Sequence, residues 1–408
     1  MKKSKYGKTP LNNYDFVIAG AGIVGLTIAR ELANRGHGSV AVLEKEPEVG
    51  RHSSGRNSGV LHAGIYYGSD TLKAQVCAAG SRLMQQYAEE HGIRLKRNGK
   101  VIVATSTENM AQIDVLLERG RKNGIRVEKI TAEELTEIEP EAQTKGFALH
   151  SPDTAVVDST GILSALVSEL DDLGVTLLKN SEVIGVEERN RILQVSSGPV
   201  GYGYLVNAAG LHADRLAHWM GVGEPYQILP FKGIYKKLRP EKAKQFRGSI
   251  YPAPDLRVPF LGVHITPGIH GQTLVGPTAI PAFGRENYGW VRGIRMGEAA
   301  QMLGILTRMV ALNKNGFRRM VREELGRYSS RGFLSATQSL ATSISGDDIL
   351  PSRKVGLRPQ LVRTDTLELV MDFVLETGES SLHVLNAISP AFTSSLRLAQ
   401  LIVDRAES

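Results

Sequence analysis

The chain has 408 residues, of which 42% are hydrophobic and 22% are charged, as is usual for a soluble globular enzyme. This length predicts two interleaved domains that share a cleft. The net charge of +7 favours an anionic ligand, whereas the lack of a basic stripe interleaved with aromatic residues argues against nucleic acid. The single cysteine, Cys77, excludes an internal disulfide and a multi-cysteine metal site, and no metal is expected.

The first elements of the chain predict a βαβ unit. An apolar strand from Tyr14 to Ala19 leads into the segment GAGIVG at residues 20–25, and a helix pattern follows from Ile23 to Arg35. A second apolar strand, from Ser39 to Leu43, ends at Glu44. This order of strand, glycine loop, helix and acidic residue is typical of a dinucleotide-binding domain.

Each residue of this fingerprint has a mechanical role. Gly20 permits a tight turn, Gly22 lets the backbone approach a diphosphate, and Gly25 lets the helix pack against the strand. The helix N-terminus then faces the diphosphate with free N–H groups. A carboxylate at Glu44 can accept hydrogen bonds from ribose hydroxyls and disfavours a 2′-phosphate, which argues against NADP.

The later elements predict a second domain that is built differently. Residues 50–68 are rich in Gly, Ser and His without periodicity, as in a ligand-binding loop. Residues 225–285 carry Pro, Tyr and strand formers and predict an antiparallel sheet, whereas residues 291–345 are mostly helical. Strands are expected again at 367–375 and 381–385, before a final helix.

A series of segments, spread in order over nearly the whole chain, carries a family resemblance. These segments are YDFVIAGAGIVGLTIARELANRG, VLEKEP, HSSGRNSGVLHAGIYY, GKVIVAT, VNAAGLHAD, PFKGIY, YPAPDLRVPFLGVHITP, VGPTAI, GLRPQL and LHVLNAISPAFTSSL. Together they resemble the L-2-hydroxyglutarate dehydrogenase/oxidase family of the D-amino-acid-oxidase-like superfamily of FAD-dependent oxidoreductases. The resemblance implies a non-covalently bound FAD, with the substrate between the flavin and the antiparallel sheet.

The resemblance and the predicted elements together imply an α/β fold. A Rossmann-type FAD-binding domain would be interleaved with an α+β substrate domain that contains an antiparallel sheet. The expected boundaries are 12–92, 145–215 and 350–408 for the FAD-binding domain, and 93–144 and 216–349, with a helical segment at 291–345, for the substrate-binding domain.

The resemblance and the glycine fingerprint also imply which residues contact FAD. Ser53 to Ser58 would line the diphosphate and the flavin, and Val183 would lie near the adenine. Pro390 to Ser394 would bring a helix N-terminus to the pyrimidine end of the flavin, where its dipole stabilises a reduced, anionic ring. The expected set is Gly20, Gly22, Ile23, Val24, Gly25, Glu44, Lys45, Ser53, Ser54, Arg56, Asn57, Ser58, Val183, Ala208, Ala209, Gly210, Gly356, Pro390, Ala391, Phe392, Thr393 and Ser394.

The substrate site implied by the resemblance centres on His62. An imidazole suits the removal of a hydroxyl proton at neutral pH, and the alternative is a structural histidine beneath the cofactor. Arg358 is expected to hold the substrate carboxylate with its planar guanidinium, and the alternative is a surface ion pair. The other expected substrate contacts, with packing or structural roles as their alternatives, are His264, Lys232, Tyr66 and Tyr251.

This chain departs from the family pattern at several positions. Lys232 stands in the PFKGIY segment where the family pattern has Arg, and Ile388 and Phe392 stand where smaller residues are usual. Lysine can neutralise a carboxylate but cannot make the bidentate fork of arginine. These departures bear on the identity of the substrate more than on that of the cofactor.

The helical stretch from Arg292 to Leu325 alternates arginines with Met, Leu and Val residues. A basic amphipathic segment can lie on a membrane surface and deliver electrons to a quinone, whereas the alternative is a helix pair with a solvated face. Residues 1–10 are lysine-rich but lack the apolar segment of a signal peptide. The expected location is cytoplasmic, with peripheral contact at the inner face of the membrane as an extension.

The leading hypothesis is FAD-dependent oxidation of L-2-hydroxyglutarate to 2-oxoglutarate, with electrons passed to quinone or oxygen. One alternative is a glycerol-3-phosphate dehydrogenase or oxidase, because GLRPQL also resembles that group and a phosphate needs a similar cationic pocket. Another is an amino-acid or amine oxidase of the same superfamily. A non-enzymatic alternative is a flavin-binding module for redox sensing or membrane docking.

Overall fold

The strands and helices are those of a computed structural model, which describes residues 12–257 and 260–407; the lysine-rich segment 1–10 lies outside this part. The strands are β1 (Asn12–Ala19), β2 (Val40–Leu43), β3 (Val60–Leu61), β4 (Leu95–Lys96), β5 (Lys100–Val103), β6 (Glu128–Ile130), β7 (Ala148–Ser151), β8 (Ala155–Val157), β9 (Thr176–Leu178), β10 (Val183–Glu187), β11 (Ile192–Val195), β12 (Val200–Asn207), β13 (Tyr226–Leu238), β14 (Ser249–Pro252), β15 (His264–Pro267), β16 (Thr273–Gly276), β17 (Ile280–Pro281), β18 (Ile349–Arg363), β19 (Leu375–Gly378) and β20 (Ser381–Val384). The helices are α1 (Ile23–Asn34), α2 (Leu72–Glu90), α3 (Met110–Lys122), α4 (Ala132–Ile138), α5 (Ser159–Asp172), α6 (Ala213–Trp219), α7 (Pro240–Ala243), α8 (Met296–Leu312), α9 (Phe317–Tyr328), α10 (Ser330–Gln338) and α11 (Ala391–Glu407).

The first sheet has a parallel core in the order β9-β2-β1-β12-β20. Strand β2 has the sequence VAVL with every residue buried, as expected of a strand that is covered on both faces. Helices α1, α2, α5 and α11 supply one apolar cluster against this sheet, including Leu26, Tyr87, Leu166 and Leu398. The carboxyl ends of β1, β2 and β12 therefore meet at one edge, where the glycine loop begins.

The second sheet has the order β17-β13-β16-β15-β14-β5-β7-β6, and β18 pairs with β13. Its pairs are antiparallel except for β5 and β14, which run parallel. Strands β13 and β18 pair from Tyr226 opposite Arg363 to Leu238 opposite Ile349. The predicted α/β architecture with a Rossmann-type domain and a mainly antiparallel second sheet is confirmed, with this parallel pair as an exception.

Two strands that lie within the segments expected for the FAD-binding domain pair in the second sheet. Strand β7 lies within the expected segment 145–215 but pairs with β5 and β6 in the second sheet. Strand β18 lies within the expected segment 350–408 but pairs with β13 in the same second sheet. The local sequence of neither strand predicts which sheet it joins, because its partner strands lie far away in sequence.

The predicted strand at 367–375 is wrong. Strand β19 begins only at Leu375, and the preceding residues make a single bridge, Val362 to Leu369. A tight turn after β18 explains the difference, because the Arg363 N–H donates to the carbonyl of Glu368 and the Leu367 N–H donates to that of Arg363.

Candidate active site

A cavity of about 570 Å³ lies between the two sheets and is lined by residues of both. Its walls include Glu44 and Val183 from the first sheet region, and Tyr251 and His264 from the second. The volume lies within the range of ordinary cofactor and ligand sites. The cavity thus joins a nucleotide-binding edge to the face of a mainly antiparallel sheet.

The glycine loop has the geometry that the fingerprint predicts. Gly20 has a φ of +107°, and a Cβ there would lie 2.6 Å from the carbonyl oxygen of Ala208. Gly22 precedes α1 in an extended conformation and, as a glycine, has no side chain to cap the helix. The helix N-terminus therefore offers backbone N–H groups and a positive dipole end toward the cavity, as a diphosphate requires.

Replacing Gly25 by alanine is expected to remove cofactor binding. A Cβ at Gly25 would lie 1.9 Å from the carbonyl oxygen of Gly20, which is backbone and cannot move aside. Overpacking of this kind costs about 1–3 kcal/mol of unfolding free energy, and here it also distorts the glycine loop. Thermal unfolding and bound-flavin absorbance of Gly25→Ala measure both effects.

The matched control for this change is Gly304→Ala, in the middle of α8. A Cβ at Gly304 meets nothing within 4 Å, so this variant should keep the flavin and unfold at the same or a higher temperature. Equal flavin content and equal unfolding temperatures for Gly25→Ala and the parent chain would contradict the proposed packing role.

Glu44 closes the nucleotide end of the cavity. Its carboxylate accepts hydrogen bonds from the backbone N–H of Ala21 at 3.0 Å and of Glu46 at 2.9 Å. Burial raises the pKa of Glu44, and these N–H donors oppose that rise. Lys45 also lines the cavity, but its ammonium is paired with Glu46 and Glu286, each at 2.6 Å.

The loop of residues 50–58 ties the glycine loop to the second sheet. The Ser54 hydroxyl oxygen accepts a hydrogen bond from the Ile23 N–H at 2.9 Å, and the Ser53 hydroxyl donates to the carbonyl of Leu357 at 2.8 Å. The Arg56 guanidinium lies over the ring of Tyr288, 4.2 Å from its centroid. These contacts place Ser53, Ser54 and Arg56 at the cavity wall.

His62 lies where this wall approaches the second sheet. Its backbone N–H donates to the Thr393 hydroxyl at 3.1 Å, which fixes it against the start of α11. Its ring makes an edge contact with Tyr251, with 6.4 Å between the ring centroids. The Nδ1 atom of His62 is buried and has no hydrogen-bond partner within the described part of the chain.

Arg358, Tyr251 and His264 complete this end of the cavity. The Tyr251 and His264 rings are stacked with 4.0 Å between centroids, and the Arg358 guanidinium lies 5.3 Å from the centroid of Phe260. The Nε atom of Arg358 is buried and unpaired among the residues described. A desolvated cation without a carboxylate partner is a strong binding group for an anionic ligand.

The charge states of this cluster are set mainly by desolvation. The pKa of His62 is lowered to about 3, mainly by burial and to a smaller extent by electrostatic interaction with Lys100, His264 and Arg358. Burial also lowers the pKa of His264 to about 4 and that of Arg358 to about 10. At neutral pH both histidines are therefore uncharged, while Arg358 keeps its positive charge.

The structure does not bring every expected residue to the cavity. The ammonium of Lys232 donates to Asn287 at 3.0 Å and to the carbonyl of Gly289 at 2.6 Å, outside the cavity wall. Tyr66 is buried behind the wall, next to Lys100, and neither Gly25 nor Ser394 lines the cavity. The alternation of a strand explains Lys232, since its neighbours Phe231 and Gly233 line the cavity instead.

The remaining expected residues do line the cavity. They are Gly20, Gly22, Ile23, Val24, Glu44, Lys45, Ser53, Ser54, Arg56, Asn57, Ser58, His62, Val183, Ala208, Ala209, Gly210, Tyr251, His264, Gly356, Arg358, Pro390, Ala391, Phe392 and Thr393. Sequence analysis missed Tyr235, Phe231 and Phe260, which also line it. Alternation along β13 could have identified Phe231 and Tyr235, whereas Phe260 carries no such signal.

The family profile described as FAD dependent oxidoreductase matches residues 15–405. The chain belongs to this family, and its cofactor is FAD. The cavity fits that cofactor, because the N-terminus of α1, Glu44 and the start of α11 lie along one continuous wall. Among the curated relatives are L-2-hydroxyglutarate dehydrogenases, which place the chain among enzymes that act on a CH–OH donor.

Three of these relatives show the extent of the similarity. The mitochondrial enzyme of Nematostella vectensis is 36% identical, over 97% of this chain and 91% of its own length. The Escherichia coli (strain K12) enzyme is 35% identical, over 97% and 93%, and the mitochondrial Homo sapiens enzyme is 35% identical, over 97% and 89%.

Solved structures show the same fold at lower identity. The L-alpha-glycerophosphate oxidase of Mycoplasma pneumoniae with FAD bound superimposes with a TM-score of 0.78 at 20% identity, over 98% of this chain and 96% of that one. L-proline dehydrogenase from P.horikoshii gives a TM-score of 0.72 at 20% identity, over 97% and 95%.

Proposed function

We propose that this chain oxidises L-2-hydroxyglutarate to 2-oxoglutarate and passes the electrons to a quinone or to oxygen. The observation that carries this proposal is that one end of the cavity is lined by His62, which is uncharged at neutral pH, and by Arg358, whose buried Nε has no hydrogen-bond partner within the described part of the chain. The substrate is an anion with a hydroxyl group, so it needs a cation for its carboxylate and a base for its proton. The names of the curated relatives support the same substrate.

The residues of this chain would share the chemistry with FAD. When bound, FAD supplies the acceptor for the hydride that leaves C2 of the substrate. Arg358 would bind the C1 carboxylate, and His62 would take the hydroxyl proton as the carbonyl group forms. Tyr251 and His264 face the same space and can donate or accept hydrogen bonds to the second carboxylate or the hydroxyl.

Anaerobic mixing of the purified flavoprotein with L-2-hydroxyglutarate tests this function. We expect rapid bleaching of the flavin absorbance by the L-enantiomer, with little or none by D-2-hydroxyglutarate or L-lactate. Bleaching by glycerol 3-phosphate instead would move the function to that alternative, and bleaching by an amino acid would move it to an amine oxidase. No bleaching by any of these compounds would favour a non-enzymatic flavoprotein.

A surface feature supports a quinone as the electron acceptor. Trp290, Val291 and Met296 are 84%, 78% and 83% exposed, and they lie beside the exposed Arg292 and Arg295. Such a patch combines apolar insertion with attraction to anionic lipids. We therefore include in the proposal that this patch contacts the inner face of a membrane, where a quinone is available.

The helices beside this patch have a basic, exposed face and an apolar, buried face. The arginines of the segment, namely Arg292, Arg295, Arg308, Arg318, Arg319 and Arg322, are exposed, as are Met296, Leu303 and Val310. Met302, Leu306 and Met309 are instead buried against Phe231 and Phe260. Within residues 12–257 and 260–407, no helix is long and apolar enough to span a bilayer.

Liposome co-sedimentation is expected to show binding to anionic vesicles at low salt and weaker binding at high salt. Replacing the exposed Trp290 by serine should release most of the bound protein, because an interfacial aromatic side chain is lost. Val115→Ser, at a 42% exposed apolar position on α3, is the matched control and should bind as before. No sedimentation at either salt concentration would remove the membrane part of the proposal.

A further inference from the structure

Lys100 is a buried lysine behind the substrate end of the cavity. It begins β5 and is only 1% exposed, and it lies opposite Ser249 of β14 and Ser151 of β7. Side chains of register partners point to the same face of a sheet, so Lys100 shares its face with Ser249 and, two residues on, Tyr251. The fold therefore places an ammonium directly behind a cavity wall.

The Lys100 ammonium lacks a hydrogen-bond acceptor within residues 12–257 and 260–407. Among the residues described, the Nζ atom of Lys100 makes no hydrogen bond and no salt bridge. Its contacts are aromatic, with the ring centroids of Tyr66 at 4.6 Å and of Tyr251 at 5.1 Å. Burial of an unpaired ammonium is costly, and aromatic faces offset only part of that cost. A group that is costly for the fold and adjoins the active site is a candidate for a role in function.

Tyr251 connects Lys100 to both histidines. The Tyr251 ring stacks on the His264 ring, and the Tyr251 and His62 rings make an edge contact. The charge on Lys100 lowers the pKa of His62 and also that of His264, in each case as a smaller cause than desolvation. Burial lowers the pKa of Lys100 itself to about 8, so it is mainly charged at neutral pH.

The other groups that face this cluster add little negative charge. They are Arg358 from β18, Cys77 from α2, Tyr66 and Tyr67 from the loop before α2, Tyr235 from β13, and Lys73 with Asp372 nearby. Burial raises the pKa of Cys77 to about 12, which keeps that thiol uncharged at neutral pH. The charges of Lys100 and Arg358 both lower the pKa of His62, and within the described residues neither Lys100 Nζ nor Arg358 Nε has a hydrogen-bond partner.

We propose that Lys100 is a positioning residue that holds a positive charge behind the Tyr251 ring and so adds to the effect of burial in disfavouring protonation of His62 and His264. The same charge would strengthen the binding of a dicarboxylate. The part that concerns His62 as the base rests on the proposed function, whereas the electrostatic coupling of Lys100 to the histidines does not. The coupling can therefore be tested without turnover.

The experiment uses the flavoprotein with carbon-13-labelled histidine and follows the ring signals by NMR as the pH changes. His62→Gln and His264→Gln variants assign the two signals. In Lys100→Met, loss of the neighbouring charge should raise the apparent pKa of His62 by about one unit, as expected for a charge that acts across an intervening aromatic ring in a partly screened site. Lys100→Arg keeps the charge and should titrate like the parent chain.

Binding of glutarate, a dicarboxylate without a hydroxyl group, supplies a second readout through the flavin spectrum. Its affinity should fall about tenfold in Lys100→Met and stay near the parent value in Lys100→Arg, as expected for a loss of one pKa unit of interaction. In the parent chain the affinity should fall as the pH rises above about 8, where Lys100 loses its proton.

Several outcomes would overturn the proposal. Identical histidine titrations in the parent and Lys100→Met would show that the charge is not felt at His62. A Lys100→Met chain that fails to fold would show a structural requirement, because removal of an unpaired buried charge should not destabilise the fold. A shifted titration in a chain that oxidises no hydroxy acid would keep the coupling and reject only the function.

Discussion

A chain with His62 replaced by glutamine should keep its flavin and lose about 10²–10⁴-fold in turnover of the hydroxy acid. The amide can hydrogen-bond to the substrate hydroxyl but cannot take its proton at neutral pH. Substrate affinity should change little, because Arg358 remains in place. Anaerobic stopped-flow reduction of the flavin measures the effect directly, without a contribution from the electron acceptor.

The pH dependence of turnover follows from the direction in which the pKa of His62 is shifted. The pKa of His62 is lowered to about 3, so the free enzyme holds the ring unprotonated at every pH above about 4. The kcat/KM of the parent chain should therefore stay level between about pH 5 and pH 7 and fall only in stronger acid. A decline already centred between pH 6 and 7 would indicate a base with an unshifted pKa.

The control for this substitution is His270→Gln, at a histidine that is exposed and lies outside the cavity wall. It should reduce its flavin at the parent rate. An amine oxidase would not need a base for a hydroxyl proton, so full activity of His62→Gln would refute the role assigned to this histidine.

Loss of the Arg358 guanidinium is expected to have the second large effect. In Arg358→Met the substrate carboxylate enters a desolvated site without its cation, which costs about 2–5 kcal/mol, or roughly 30–4000-fold in kcat/KM. Most of the loss should appear in KM. The kcat/KM of Arg358→Lys should fall between those of the parent chain and Arg358→Met, because lysine restores the charge but not the bidentate geometry.

Arg353 supplies a matched control on the same strand. It is exposed, and Arg353→Met should leave kcat/KM within a factor of about two of the parent value, as is usual for surface substitutions. Equal KM values for Arg358→Met and the parent chain would mean that the carboxylate is bound elsewhere. Guanidinium ions added to Arg358→Met provide a further check, since partial recovery of activity would locate the missing charge.

The nucleotide end of the site could be predicted from sequence because its signals are local. The glycine loop, the helix after it and Glu44 lie within a single βαβ unit, and their spacing is fixed by strand and helix geometry. The predicted bounds of α1 differ from those observed by one residue. A likeness spread over the whole chain then added the loop at 50–58 and the start of α11.

The substrate end was harder to predict because it depends on register and on side-chain direction. Lys232 and Arg358 lie on neighbouring strands, yet only Arg358 faces the cavity. Lys100 gave no signal at all, since a lysine at the start of a strand usually marks a solvent-exposed end. The assignment of β7 and β18 to the second sheet likewise depended on partners that lie far along the chain.

The contact between His62 and Thr393 joins residues 331 positions apart. A ribosome that has finished the glycine loop and His62 has therefore made only one side of the cofactor site, and the other side follows hundreds of residues later. Until then the apolar walls of the cavity, such as Phe231, have no ligand to cover them. FAD can therefore bind only at the last stage of biosynthesis. A shortage of riboflavin, the vitamin from which FAD is made, should leave full-length but aggregation-prone chains.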